Sequence, residues 1–159
     1  VNLLERCGMR EKVVYLDSSV IVKRYIEEPG SEYIRQLYVQ AYNGLIKISF
    51  SLWNIGEVLG VLDKSRTREI ITAEDYQVVK KRFLSETLRL TKLGYLVTVP
   101  VKLSTLRIAW KIIEKHHIYQ ADALQIASAK SINAGEFLVA DKKLHQVALE
   151  EGLNSSYIT

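Results

Sequence analysis

Val13-Val14-Tyr15-Leu16-Asp17-Ser18-Ser19-Val20-Ile21-Val22 decides how the rest of the chain is read. Val13 to Leu16 is apolar and partly β-branched, the composition of a short strand. Asp17 ends it, and Asp17 or Ser18 can cap the next segment. Ser19 to Glu28 then reads as a helix with Ile21, Val22, Tyr25 and Ile26 inward, stopped by Pro29-Gly30. A strand, an acid at its end and a helix leaving at once open an alternating α/β chain.

The alternation continues along the sequence. Ser31 starts a second helix with Tyr33, Ile34, Leu37, Tyr38 and Ala41 at helical spacing, closed by Asn43-Gly44. Leu45 to Phe50 is a second strand, and Ser51 caps a helix running to about Ser65. Thr72 caps the next, with Asp75 at the capping-box position, and Gly94 closes it. Tyr95 to Val99 is a third strand. Leu103 to His116 is helical, with Leu106, Ala109, Trp110 and Ile113 inward. Tyr119 to Asn133 is a helix of small residues that can lie close to a sheet. Phe137 to Ala140 is a fourth strand, Lys142 to Glu151 a helix, and Ser156 to Ile158 a short final strand. The order β-αα-β-αα-β-αα-β-α-β predicts a three-layer α/β/α fold around a central parallel sheet of about five strands.

Composition narrows the class. The 159 residues suit one domain, expected over residues 12–159, with residues 1–11 as an N-terminal extension and Met9 marking an alternative start. A hydrophobic content of 48% excludes a disordered chain, and a net charge of +4 allows a polyanionic partner without demonstrating one. Cys7 is the lone cysteine, which rules out an intrachain disulfide and the usual cysteine zinc sites. The longest run without Asp, Glu, Lys or Arg is 11 residues, Gln36 to Ile46, too short to span a membrane. With no apolar leader segment either, the expected location is the cytoplasm.

A parallel sheet gathers its strand C-termini along one edge, and ligands bind beyond that edge. Asp17 follows the first strand directly and Asp141 follows the fourth. Asp122 sits in the first turn of its helix. Glu57 stands in a helix otherwise filled by Leu52, Trp53, Ile55, Val58, Leu59, Val61 and Leu62, and a carboxylate in so apolar a setting needs a partner. Each has a simpler reading. Asp17 and Asp141 can be helix caps, Asp122 can complement a helix dipole, and Glu57 can pair with Lys23 or Arg24. Together they are harder to explain away. Two carboxylates at about 4 Å repel by about 4 kcal/mol at an effective dielectric of 20. Four in one crevice either take up protons or bind cations. An all-oxygen set with room for water suits Mg²⁺ or Mn²⁺, which can hold a phosphodiester for attack by water.

The chain resembles the PIN-domain family, in particular its VapC-type toxins, over about residues 12 to 158. The match is carried by Tyr15-Leu16-Asp17-Ser18-Ser19 with Val22-Lys23-Arg24-Tyr25, by Asn54-Ile55-Gly56-Glu57-Val58, by Asp122-Ala123-Leu124-Gln125-Ile126-Ala127-Ser128-Ala129, and by Phe137-Leu138-Val139-Ala140-Asp141-Lys142-Lys143-Leu144. The resemblance implies a metal-dependent endoribonuclease, the toxin of a type II toxin–antitoxin pair, that dimerises and is inhibited by a small antitoxin. It implies that Asp17, Glu57, Asp122 and Asp141 carry the metal, and that Ser19 and Ser18 hydrogen-bond within the cluster. One position departs from the pattern: many members have Thr or Ser where this chain has Val139.

Other features bear on rival readings. Lys23 and Arg24, near the crevice, are the expected RNA contacts. Lys64, Arg66 and Arg68, and the run Lys80-Lys81-Arg82, read as solvated helix surface or a basic rim. Most aromatics sit at core spacing, and the apolar helix 52–62 is either buried or a dimer surface. A catalytically silent interaction module is the main alternative, hinted at by Val139. A phosphotransferase using Asp17 as nucleophile ranks lower, because its usual second Asp is here Ser19.

Overall fold

In the computed structural model, which describes residues 12–159, the chain runs β1 (Lys12–Leu16), α1 (Ser18–Val22), α2 (Ser31–Tyr42), β2 (Ile46–Ser51), α3 (Leu52–Thr67), α4 (Ala73–Lys92), β3 (Leu96–Val99), α5 (Leu103–His116), α6 (Gln120–Ser131), β4 (Glu136–Val139), α7 (Lys142–Glu150) and β5 (Ser155–Tyr157). The expected extension, with Cys7 and Met9, lies outside the described residues.

All five strands are parallel, in the order β3-β2-β1-β4-β5. Strand periodicity splits the core in two. Val14 and Leu16 pack with Ile34, Phe50, Leu62 and Phe83 on the α1–α4 side. Tyr15, pointing the other way, packs with Ala109, Ile126 and Phe137 on the α5–α7 side, its ring stacked on Phe137 at 5.6 Å. This gives the three-layer α/β/α fold. The chain steps from β1 outward to β2 and β3, then returns across the sheet to β4 and β5 on the other side of β1. Right-handed crossovers in opposite directions place helices on opposite faces. The direction reverses between β1 and β4, so the crevice for a ligand lies beyond their C-termini.

Two stretches differ from the sequence expectation. The helix from Ser19 was expected to reach Glu28, but α1 ends at Val22. The chain then tightens into turns in which Lys23, Arg24 and Tyr25 donate to carbonyls three residues back. Lys23 Nζ donates to Pro29 O at 2.8 Å, so its own side chain closes the loop. Gly30 comes next with φ +86°, and a Cβ there would meet Ile158 Cγ2 at 2.7 Å, so no other residue fits without rearrangement. In α5 the buried face is Thr105, Ala109 and Ile112, while Trp110 is 46% exposed. The apolar arc of this helix is wider than the surface it buries, so its rotation is set by close packing of Ala109 against the small residues of α6. Tyr33 is likewise exposed rather than inward.

Glu151 joins the helices of the second layer. Its carboxylate accepts from Lys115 Nζ (2.8 Å) and Lys130 Nζ (2.9 Å) and lies 2.7 Å from His116 Nε2. Burial works against the charge, but these three partners prevail and hold its pKa at about 2. A carboxylate depressed by folding stabilises the protein above its unfolded pKa and loses that contribution as pH falls through the folded value. Glu151→Gln should therefore lower stability by about 2 kcal/mol at neutral pH, with the difference vanishing between pH ~4.5 and ~2. Chemical denaturation of both proteins across that range measures this; a pH-independent difference would contradict it.

Candidate active site

Asp17 stands at the head of α1, 7% exposed. Its backbone N–H donates to Leu138 O (3.0 Å), which ties the end of β1 to β4. Its Oδ2 accepts from the Ser19 N–H (3.0 Å) and from the Ser19 hydroxyl. Ser19 Oγ in turn accepts from the Ala140 N–H (3.0 Å), the residue before Asp141. Ser19 thus fixes the two strand ends together with an acid on each. Asp141 caps α7, its Oδ1 accepting from the Leu144 N–H at 2.7 Å. Both aspartates therefore cap helices, and each cap engages one carboxylate oxygen, Oδ2 of Asp17 and Oδ1 of Asp141.

Glu57 reaches the same crevice from α3. It pairs with neither Lys23 nor Arg24. Its Oε2 accepts from the Ser18 hydroxyl and from Gln125 Nε2 (2.8 Å). These donors belong to a closed ring of side chains. Asn54 Nδ2 donates to Ser18 Oγ (2.8 Å), and Asn54 Oδ1 accepts from the Ser51 N–H (2.8 Å). The Tyr15 hydroxyl donates to Gln125 Oε1 (2.7 Å) and lies 3.2 Å from Asn54 Oδ1. Tyr15, Ser18, Asn54 and Gln125 are all buried, and burial keeps the Tyr15 phenol protonated. Buried polar groups that satisfy one another lock their rotamers, so Glu57 is held in one orientation by neutral donors.

The four acids feel one another. Burial raises the Asp17 pKa, opposed by the Ser19 hydrogen bonds and aided by Asp141. Burial also raises Glu57, with Asp17 and Asp122 pushing the same way against hydrogen bonds from Ser18 and Trp53. Asp122 is raised by burial, then by Asp17 and Asp141, and pulled down by Lys143. Segments far apart in sequence thus bring Asp17, Glu57, Asp122 and Asp141 to the same end of the sheet, linked through Ser18, Ser19 and Gln125. Among the described residues, no three His, Cys, Asp or Glu side chains stand close enough to ligate one ion directly.

The basic residues expected here face elsewhere. Lys23 is buried, with Nζ on Pro29 O and 3.4 Å from Glu28 Oε2. Arg24 forks onto Glu86 from Nε (3.1 Å) and Nη2 (2.8 Å), over the Tyr38 ring. The tightened turn after α1 rotates both away from the crevice. Lys143, exposed in the first turn of α7, lies near enough to Asp122 for its charge to lower that acid's pKa. Lys143 and the ring residues Tyr15, Asn54 and Gln125 were missed in the sequence. A usable signal existed: Asn54 lies three residues before Glu57 and Gln125 three after Asp122, each on its acid's helix face in an apolar helix.

A parallel α/β sheet with an acidic crevice at its switch point defines a class of ligand-binding domain, and the sequence supplies the family. The PIN domain model matches residues 14–150. The chain belongs to the PIN domain family. No curated protein sequence matches the chain. Among solved structures, it is similar to VapBC2 of Rickettsia felis bound to a DNA fragment from its promoter, with 18% identity, TM-score 0.64, and coverage of 92% of this chain and 99% of that one. FitAcB of Neisseria gonorrhoeae aligns at 18% identity and TM-score 0.63, covering 89% of this chain and 95% of that one. Mycobacterium tuberculosis VapC20, described as a sarcin–ricin-loop-cleaving toxin, aligns at 12% identity and TM-score 0.62, covering 88% and 95%. At these identities the likeness is one of fold. No helix among the described residues is long and apolar enough to cross a membrane.

Proposed function

We propose that the protein is a Mg²⁺- or Mn²⁺-dependent endoribonuclease and the toxin of a type II toxin–antitoxin pair. The observation that carries this reading is the convergence of acids at the β1–β4 switch point, where Ser19 ties Asp17 to the residue before Asp141 and where Ser18 and Gln125, neighbours of Asp17 and Asp122 along the chain, both hold Glu57. Family membership and the VapC20 description support it. The donor set is all oxygen, which suits a hard cation. Mg²⁺ keeps several of its waters and needs only one or two direct carboxylates, so acids that do not close in threes around one point would hold it partly through water. Asp17, Glu57, Asp122 and Asp141 would hold the ion. When bound, it would polarise a scissile phosphodiester and lower the pKa of the attacking water.

The residues themselves have separable tasks. Asp17 and Asp141 are positioned by Ser19 and by their caps. Glu57, oriented by Ser18 and Gln125 and raised in pKa, is suited to accept a proton from water. Lys143 takes over the phosphate-contacting role first expected of Lys23 and Arg24. Val139 packs in the second core, where an apolar side chain is accounted for by packing, so it lends the silent-module reading no support. An antitoxin is a proposed protein partner, in keeping with the VapBC2 and FitAB complexes, and a second copy of the chain is the other. Leu84 and Leu88, exposed one turn apart on α4, offer apolar surface for such a contact.

Thermal unfolding during Mn²⁺ titration tests the site. A ligand at a hundred times its Kd stabilises by about 2.7 kcal/mol, a rise in Tm of roughly 5–10 °C for a chain of this size. Folding raises the pKa of Asp17, Glu57 and Asp122. Without metal, these groups stabilise the fold at low pH, and that contribution is lost as pH rises through their folded values. Protons compete with the ion, so the Mn²⁺ effect should shrink as pH falls. A flat Tm with Mn²⁺ at neutral pH, together with intact RNA, refutes the proposal.

A further inference from the structure

Trp53 is 46% exposed, although its large apolar ring would ordinarily be covered. It lies one helical turn before Glu57 on the same face of α3. Leu52, Trp53, Gly56, Glu57 and Ala121 line an open cleft of about 420 Å³, within the size range of small-molecule sites. Gly56 forms part of its wall without a side chain, and a Cβ there would meet nothing within 4 Å. Ala121 closes the α6 side with a methyl group and immediately precedes Asp122. The cleft is thus walled by apolar surface, contains one of the four acids and abuts a second.

We propose that this cleft receives a nucleobase of single-stranded RNA next to the scissile phosphate, stacked on the Trp53 indole. The inference rests on the nuclease reading and adds a substrate subsite to it. A phosphodiester held at the acids has its neighbouring base within one nucleotide of the cleft. Exposed flat aromatics bind bases by stacking in a largely sequence-tolerant way. Glu57 is the lining's single charged group and is already engaged by Ser18, by Gln125 and, along the indole edge, by Trp53, which leaves the indole face for stacking. The cleft therefore reads a base by its face rather than by its edge. A base inside a duplex has both faces covered by its stacked neighbours, so continuous duplex RNA is excluded.

The test combines kinetics with fluorescence. Trp53→Ala should raise KM for a single-stranded RNA substrate roughly five- to a hundredfold, the range for loss of one stacked base. Trp53→Phe should restore most of the affinity. Gly56→Leu, which fills the cleft and leaves Trp53 and every acid in the sequence, should raise KM in the same way. The chain has 2 Trp, so Trp110→Phe leaves Trp53 as the sole reporter. Its emission should be quenched by a short oligoribonucleotide in Ca²⁺ and not by an abasic oligomer of equal length.

If the parent cleaves RNA and the Trp53 and Gly56 variants share its KM, the subsite is refuted and the nuclease reading stands. If nothing is cleaved yet the base-bearing oligomer alone quenches Trp53, the subsite stands and the nuclease reading falls. If Trp53→Ala leaves KM unchanged and converts a dimer to a monomer in sedimentation, the cleft is occupied by a second copy and the proposal is overturned.

Discussion

Asp17→Asn should reduce RNA cleavage roughly 10²- to 10⁴-fold, the scale of losing a group that acts directly on the reaction, and should leave the fold intact. Asparagine is nearly isosteric, and its side-chain oxygen can still accept from the Ser19 N–H. It removes a charge that burial and Asp141 make unfavourable in the metal-free protein. The variant should therefore melt no lower than the parent without metal, and should lose the Tm rise with Mn²⁺. Asp141→Asn should behave alike in cleavage, since asparagine also caps helices well. Paired measurement of cleavage rate and Tm separates chemistry from folding. Parent-like cleavage by either variant removes these acids from the mechanism.

The second large effect concerns Arg24 and Glu86. Glu86 lies on α4 and accepts both arms of Arg24, the Tyr25 hydroxyl (2.9 Å) and the Tyr42 hydroxyl (3.1 Å). Burial opposes its charge, but these partners hold its pKa below the usual carboxylate value. Removing one member of such a pair strands the other in a poorly hydrated place. Arg24→Ala or Glu86→Ala should cost about 3–5 kcal/mol, a fall in Tm of roughly 10 °C or more. Replacing both by leucine should cost less than the two single changes combined, because no stranded charge remains. RNA affinity of the folded Arg24→Ala protein should equal that of the parent. Weaker RNA binding with an unchanged Tm would return Arg24 to the substrate side.

Both effects separate features set by near neighbours in the chain from features set by distant ones. The caps Ser51, Thr72 and Asp141 appear in the structure at the helix starts inferred for them, and of the two caps open after β1 the structure uses Asp17, with Ser18 as the first helical residue. Capping and strand periodicity depend on neighbours within a few residues, so they are legible in one dimension. The acids at strand ends were visible for the same reason: a parallel sheet has a single C-terminal edge. Rotation of a helix about its axis was less accessible. Trp110 and Tyr33 turned outward because their helices carry more apolar residues than they bury.

From its order of apolar runs, caps and turn residues, the sequence alone determines a parallel α/β sheet with acids delivered to one rim. Only the tertiary structure decided that Lys23 and Arg24 close the fold while Lys143 lies near Asp122. It also decided that Tyr15, Asn54 and Gln125 orient Glu57. Those outcomes depend on which side chain from a distant segment reaches a buried charge first, and no local spacing carries that information.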